Sequence, residues 1–140
     1  ILLQEIKNIG MRILDNEMVD LRGIQLAGID WKDSYNEKDC ERILAALPVD
    51  RDRPSILMKH EPQDLPTSAD RGFSLQLSGH THAGQIFPLS LITHRVYHGF
   101  DYGLKKFGDM LVYTSSGVGT WGPPLRFGTK AEIVAITLRQ

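Results

Sequence analysis

The apolar positions of this 140-residue chain change period along its length. Leu2, Leu3, Ile6 and Ile9 recur at helical spacing, and Gly10 is placed to end that helix. Three short apolar runs follow, "MRIL", "EMVDL" and "IQLAGID", separated by the turn pairs "DN" and "RG". Their alternation, shortness and turn residues predict an antiparallel β-meander. Residues 37–47, "EKDCERILAAL", return to helical spacing with Cys40, Ile43, Leu44 and Leu47 on one side. Asn36 predicts the N-cap and Pro48 the stop.

"PSILMKH" reads as a buried strand ending at His60, and Pro62 and Pro66 predict an irregular segment after it. Residues 73–78, "FSLQLS", predict another strand, which stops just before Gly79. "YGLKKFGDMLVYTSS" predicts a hairpin turning at "FGD", and "AEIVAITL" a last strand. Strands outnumber helices, with no repeat, low-complexity tract or linker composition. The pattern predicts one piece of one domain.

Charge and cysteine content narrow the function classes. The formal net charge is −1, from 16 basic and 17 acidic residues, so the balance gives no strong field toward nucleic acid or anionic membranes. Cys40 is the single cysteine, which excludes a disulfide framework, and its place on an apolar helix side predicts a small core residue. Stretches such as "ILAALPV" are far too short to span a bilayer, and no signal-peptide pattern opens the chain. The chain begins without Met on a run that already reads as helical, which predicts a piece of a longer protein.

The chemistry concentrates in "LSGHTHAGQI", residues 77–86. His80 and His82 follow one short apolar strand, and His60 follows another. Strand ends carry sites in sheet proteins, and neutral imidazole suits transition-metal ions. Just beyond a strand, residues i and i+2 point to roughly the same side, so His80 and His82 are placed to share one metal or reach two neighbouring ones. Gly79 frees the backbone to turn as it leaves the sheet. Thr81 between them is expected to point away or to support the ligands.

The arrangement "ILMKHEP", a gap of about twenty residues, then "LQLSGHTHAGQI" resembles the calcineurin-like metallophosphoesterase superfamily. The closer resemblance is to its YkuE- and YaeI-like bacterial branch, whose motif reads "GHTHGGQ"; Ala83 stands here where that branch usually has glycine. The tail "LVYTSSGVGTWGPPLRFGTKAEIVAITL" is similar to the branch's closing segment. The resemblance implies an α/β fold, the C-terminal half of a four-layer α/β/β/α sandwich with mixed sheets. It implies that His60 and His80 bind a second metal and His82 a first. It implies a site with two divalent metal ions (Mn, Fe, Zn or similar) that activate a water for phosphoester hydrolysis. The family's Asp-x-His, Gly-Asp and Gly-Asn-His motifs are not in this chain; Asp15, Asn16, Asp30 and Asp33 lack their spacing. The bridging aspartate and the general-acid histidine are therefore expected upstream of Ile1, and the chain alone is expected to be inactive.

Arg126 follows the loop "SSGVGTWGPPL" and is a candidate for gripping a substrate phosphate, with an ordinary surface arginine as the equal alternative. Trp121 is placed to flank a substrate group or to cap the core. His94 and His98, in "ITHRVYHGF", lie in no clear helical pattern and read as loop residues without a ligand role. The partners expected are a phosphoester substrate and no nucleic acid. Several members of the branch carry a membrane segment ahead of this region, so a bacterial cytoplasmic or membrane-associated protein is expected. The fragment is also expected to self-associate, since half a sandwich exposes one apolar sheet face. The competing class is a non-catalytic binding module on the same fold, and retention of all three histidines argues against it. A closed structural metal site is also disfavoured, because such sites often use several cysteines.

Overall fold

The computed structural model describes residues 2–139. The chain folds as a mixed α/β structure around one six-stranded mixed sheet. The strands are β1 (Glu17–Leu21), β2 (Ile24–Gly28), β3 (Ser55–Met58), β4 (Leu75–Ser78), β5 (Gly103–Phe107) and β6 (Met110–Thr114), in the order β1-β2-β3-β4-β6-β5. The central β2, β3, β4 and β6 run parallel, and the hairpins β1–β2 and β5–β6 make the two edges antiparallel. The helices are α1 (Leu2–Asn8), α2 (Glu37–Ala46), α3 (Leu65–Asp70) and α4 (Leu89–Val96). Among the described residues, no helix is long and apolar enough to cross a membrane.

α2 forms where the sequence predicts it. Asn36 caps it by accepting a 3.0 Å hydrogen bond from the Asp39 N–H, and Cys40, Ile43 and Leu44 are buried. They meet Ala27, Leu57, Met110 and Val112 from the sheet, with Phe73 and Leu65, in one core. Along one register line Ala27, Leu57, Gln76 and Val112 are all buried.

The opposite face is different. The neighbouring line Val19, Leu26, Ile56, Leu75 and Leu111 is equally apolar, yet no residue on it is fully buried. The next line in the same face, Met58, Leu77, Tyr113 and Leu104, is also half-open, with Leu104 61% exposed. Strands apolar on both faces belong to sheets covered on both sides, and this sheet is covered on one.

Four expectations are corrected. "MRIL" is not a strand, so the meander reduces to the β1–β2 hairpin. Asn16, at φ +54°, ties its side chain to Asp33 and to the Asp30 N–H, which fixes "DN" as a link to the β2–α2 loop rather than a hairpin turn. Leu14 then lies against Gly28, where a Cβ would come within 2.6 Å of its carbonyl oxygen. The segment after Pro62 is not irregular throughout. Pro66 falls in the first turn of α3, where its missing N–H costs nothing.

His94 lies in α4, a helix whose apolar residues point outward, and His98 follows it at φ +50°. "AEIVAITL" runs without a ladder partner among the described residues, and Ile133 is 89% exposed. A strand needs a neighbour, and sequence alternation does not supply one.

That last segment is anchored by Glu132. Its carboxylate accepts hydrogen bonds from the Ser116 N–H (3.0 Å), Tyr102 Oη (3.0 Å), Ser115 Oγ (3.1 Å) and Tyr113 Oη (3.3 Å). Loss of solvent pushes the carboxyl up, but these donors, led by Ser116, outweigh it and hold it below its ordinary value. The anchor is therefore complete above the ordinary value of 4.5 and is lost as pH falls through the lower folded value. Hydrogen exchange across residues 131–138 is expected to speed up below that pH. Glu132→Gln is expected to give the fast behaviour at neutral pH.

Candidate metal centre at the histidine loop

Parallel pairing of β3 with β4 sets Met58 opposite Leu77, so both strands leave the sheet at the same end. The ladder extends one step further through Lys59 N–H to Leu77 O (3.0 Å) and Gly79 N–H to His60 O (3.0 Å). His60 and His80 are thereby brought side by side. His60 Nε2 and His80 Nδ1 lie 2.9 Å apart, and the ring centroids 4.7 Å. His82 joins them on one cavity of about 560 Å³, lined also by Thr81, Thr93, Tyr97 and Trp121.

The surroundings support the pair. Glu61 Oε1 lies 3.6 Å from His80 Nε2 and accepts a 2.9 Å hydrogen bond from Trp31 Nε1. Trp31 meets His60 edge-on at 5.5 Å, and Tyr97 meets His80 edge-on at 6.3 Å. Partial burial, then the neighbouring His80 and His82, push His60 below its ordinary pKa, which favours the neutral, lone-pair-bearing form. Behind them Lys59 is buried and paired with Asp64 at 2.9 Å. Glu61, Trp31 and Tyr97 were not legible as site residues in the sequence. The one signal was that Glu61 directly follows His60 at a strand end.

The loop itself is tightly wound. His80, His82, Ala83 and Gln85 all have φ between +49° and +67°, and Gly84 has φ +76°. Such conformations cost non-glycine residues of order 1–2 kcal/mol each and gather at functional sites. Ala83, at φ +52°, explains why glycine suits that position. Ala83→Gly is expected to stabilise by about 0.5 kcal/mol, relief of strain exceeding the extra chain entropy of glycine. Urea unfolding measures it. At Gly84 a Cβ would fall 2.3 Å from Ser90 Cα, so this glycine lets α4 pack on the loop. Gly84→Ala is expected to destabilise by more than about 2 kcal/mol, from strain and overpacking together.

Three side chains hold the loop in place. Thr81 is buried and donates to the Asp101 carbonyl at 2.6 Å, while the Asp101 carboxylate meets His94 Nδ1 at 2.8 Å. Gln85 is fully buried; its carboxamide accepts from the Trp121 N–H (2.8 Å) and donates to the Trp121 carbonyl (2.8 Å). Arg126 donates through Nη1 to the His82 carbonyl (3.1 Å) and through Nη2 to the carbonyls of Ser116 (2.7 Å) and Gly119 (2.6 Å). Its guanidinium is thus engaged with main chain on the wall that carries His82.

His60 and His80 bond each other through their facing ring nitrogens, which stand closer than two imidazoles on one cation. Their facing nitrogens are 2.9 Å apart, while two imidazoles on one tetrahedral zinc, at ~2.0–2.1 Å each, stand about 3.3 Å apart. A shift of a few tenths of an ångström converts one arrangement into the other. Among the described residues, no three His, Cys, Asp or Glu side chains stand close enough together to hold a metal ion. The loop therefore offers part of a coordination sphere.

The chain is similar to proteins named only as uncharacterized metallophosphoesterases. It is 39% identical to one from Helicobacter pylori strain J99, over 98% of this chain and 38% of that protein. It is 30% identical to one from Aquifex aeolicus, over 98% of this chain and 54% of that protein. A zebrafish relative named a transmembrane protein with metallophosphoesterase domain is 38% identical over 84% of this chain and 28% of its own length. The chain thus spans about half or less of the length of these curated relatives. No protein-family profile matches the chain, and no solved structure does. With relatives bearing this name aligned over nearly its whole length, and the histidine loop at the ends of adjacent parallel strands, the chain belongs to the calcineurin-like metallophosphoesterase superfamily.

Proposed function

We propose that the chain is the C-terminal half of a phosphoesterase domain and contributes His60, His80 and His82 to a site for two divalent cations. The observation that carries this is the 2.9 Å approach of His60 Nε2 to His80 Nδ1 beside the cavity shared with His82. His60, which partial burial holds below its ordinary pKa, offers a lone pair where the chain leaves β3, and His80 stands beside it where the chain leaves β4. Glu61 stands 3.6 Å from His80, and Arg126 fixes the main chain of His82. The cations supply charge neutralisation on a phosphoryl group and an activated water. The open sheet face supports the half-domain reading, because a second sheet would cover it. The bridging carboxylate and the general acid come from that other half. The transmembrane zebrafish relative supports a membrane-associated setting for the whole protein.

Complementation tests the reading. The chain alone is expected to turn over no phosphodiester with added Mn²⁺. Joined to the remaining sequence of the Helicobacter relative, it is expected to hydrolyse bis(4-nitrophenyl) phosphate in a Mn²⁺-dependent way, and His80→Ala is expected to abolish this. A folded chimera that binds no metal and turns over nothing would favour the binding-module reading. Turnover by the chain alone, surviving chelator washing and remetallation, would contradict the half-site.

A further inference from the structure

α4 is amphipathic in the inverse sense. Ser90, Thr93 and Tyr97 are its shielded positions, and Thr93 and Tyr97 line the histidine cavity. Leu91 is 63% exposed, Ile92 61% and Val96 57%, with Leu89 also exposed. Phe87, at the approach to the helix, bonds main chain to main chain with Phe127, and both rings are more than half exposed. A surface helix of a globular protein normally turns such residues inward. Here packing on the histidine loop fixes the helix the other way round, through the close approach of Gly84 to Ser90.

Carboxylates are sparse around this face, and Asp64, which shares a cavity with Val96 and His98, is paired with the buried Lys59. Residues 71–100 contain no Asp or Glu, so the near-neutral total conceals a stretch without carboxylates. Arg95 lies on the exposed side of α4, His98 follows it, and the Lys105 ammonium lies close to Gly99. Asp101, the next carboxylate in the chain, is buried and paired with His94. A two-fold contact between copies would bring Arg95 and its neighbours toward their own counterparts. An anionic lipid surface instead matches both features, taking the apolar side chains at the headgroup boundary and the cations at the phosphates.

We infer that the outward face of α4, with Leu91, Ile92, Arg95 and Val96, docks on an anionic lipid bilayer. The helix lies in the interface and spans nothing. Its other side is the wall of the histidine cavity, so docking sets that cavity beside the headgroups. The consequence, that the phosphoesters reached are lipid-borne, rests on the phosphoesterase reading. The docking itself does not.

Co-sedimentation with vesicles tests it, in EDTA so that no metal contributes. The full 140-residue chain is expected to bind vesicles of phosphatidylcholine with 30% phosphatidylglycerol. Pure phosphatidylcholine is expected to bind at least tenfold more weakly. The double variant Leu91→Glu/Ile92→Glu and the single Arg95→Glu are each expected to lose tenfold or more in binding while keeping the far-ultraviolet circular dichroism of the parent. Leu21→Glu, exposed on the open sheet face, is expected to bind as the parent does. Absence of parent binding, or equal binding by the folded double variant, overturns the inference. So does loss of binding in Leu21→Glu alone, or self-association that disappears in the double variant. Loss of phosphodiester hydrolysis in the chimera with vesicle binding retained would count against the phosphoesterase reading only.

Discussion

Replacing His80 by alanine is expected to weaken binding of Zn²⁺ or Mn²⁺ by more than about 100-fold, measured by calorimetric titration. His80 stands beside two residues that follow β3, with His60 at 2.9 Å and Glu61 at 3.6 Å. Without it, His60 Nε2 loses its hydrogen-bond partner and Glu61 its imidazole neighbour. Changes to residues that merely support metal ligands cost ~10–100-fold, so loss of a ligand belongs at or above that range. His80 is exposed, so stability in EDTA is expected to fall by no more than about 0.5 kcal/mol. The two effects separate in a thermal scan. Metal at about 100 times its dissociation constant stabilises the parent by ~2.7 kcal/mol, and this gain is expected to vanish in the variant. His60→Ala and His82→Ala are expected to act in the same direction, and His98→Ala to change nothing. A folded His80→Ala variant that keeps the parent's affinity would remove the metal site.

Much of this was legible because local chemistry decides it. Asn36 and Pro48 bound α2, "FGD" turns the β5–β6 hairpin, and short apolar runs give β3 and β4. His60, His80 and His82 stood out because strand ends are readable, though only the parallel pairing of β3 with β4 shows that His60 and His80 meet. What was not legible depended on remote partners. α4 reads as no helix facing inward because its apolar residues face outward. Arg126 read in the sequence as a phosphate-gripping or an ordinary surface arginine, and the carbonyls of His82, Ser116, Gly117 and Gly119 that bind its guanidinium are brought to it only by the fold. Gln85 closes the "GHTHAGQ" motif, yet its structural role was not legible, since a buried glutamine is defined by the loop it clamps. "AEIVAITL" alternates as a strand should, and alternation specifies a face without specifying a neighbour.

The chain on its own is expected to bind an apolar dye strongly and to scatter light as a species of at least twice the monomer mass at micromolar concentration. The cause is the uncovered sheet face. Leu26, Ile56 and Leu75 sit side by side there, flanked by Met58 at 38% exposure, Leu111 at 41% and Leu104 at 61%. These residues run across β2, β3, β4, β6 and β5, so they form one continuous surface rather than scattered contacts. The largest apolar patch of a typical soluble monomer is only ~300–600 Å². Burying such a face gains roughly 25 cal/mol per Å², enough to offset the cost of association once several hundred Å² are covered. Met58→Lys/Leu111→Lys places two charges on the face without touching the core row of Ala27, Leu57 and Val112. That variant is expected to stay folded, to lose most dye binding and to run as a monomer. A parent chain that is a clean monomer with no dye binding would mean the face is closed in solution, and the half-sandwich reading would fail with it. Adding the remaining half of the domain is expected to abolish both signals, because a second sheet and a second copy compete for the same apolar surface.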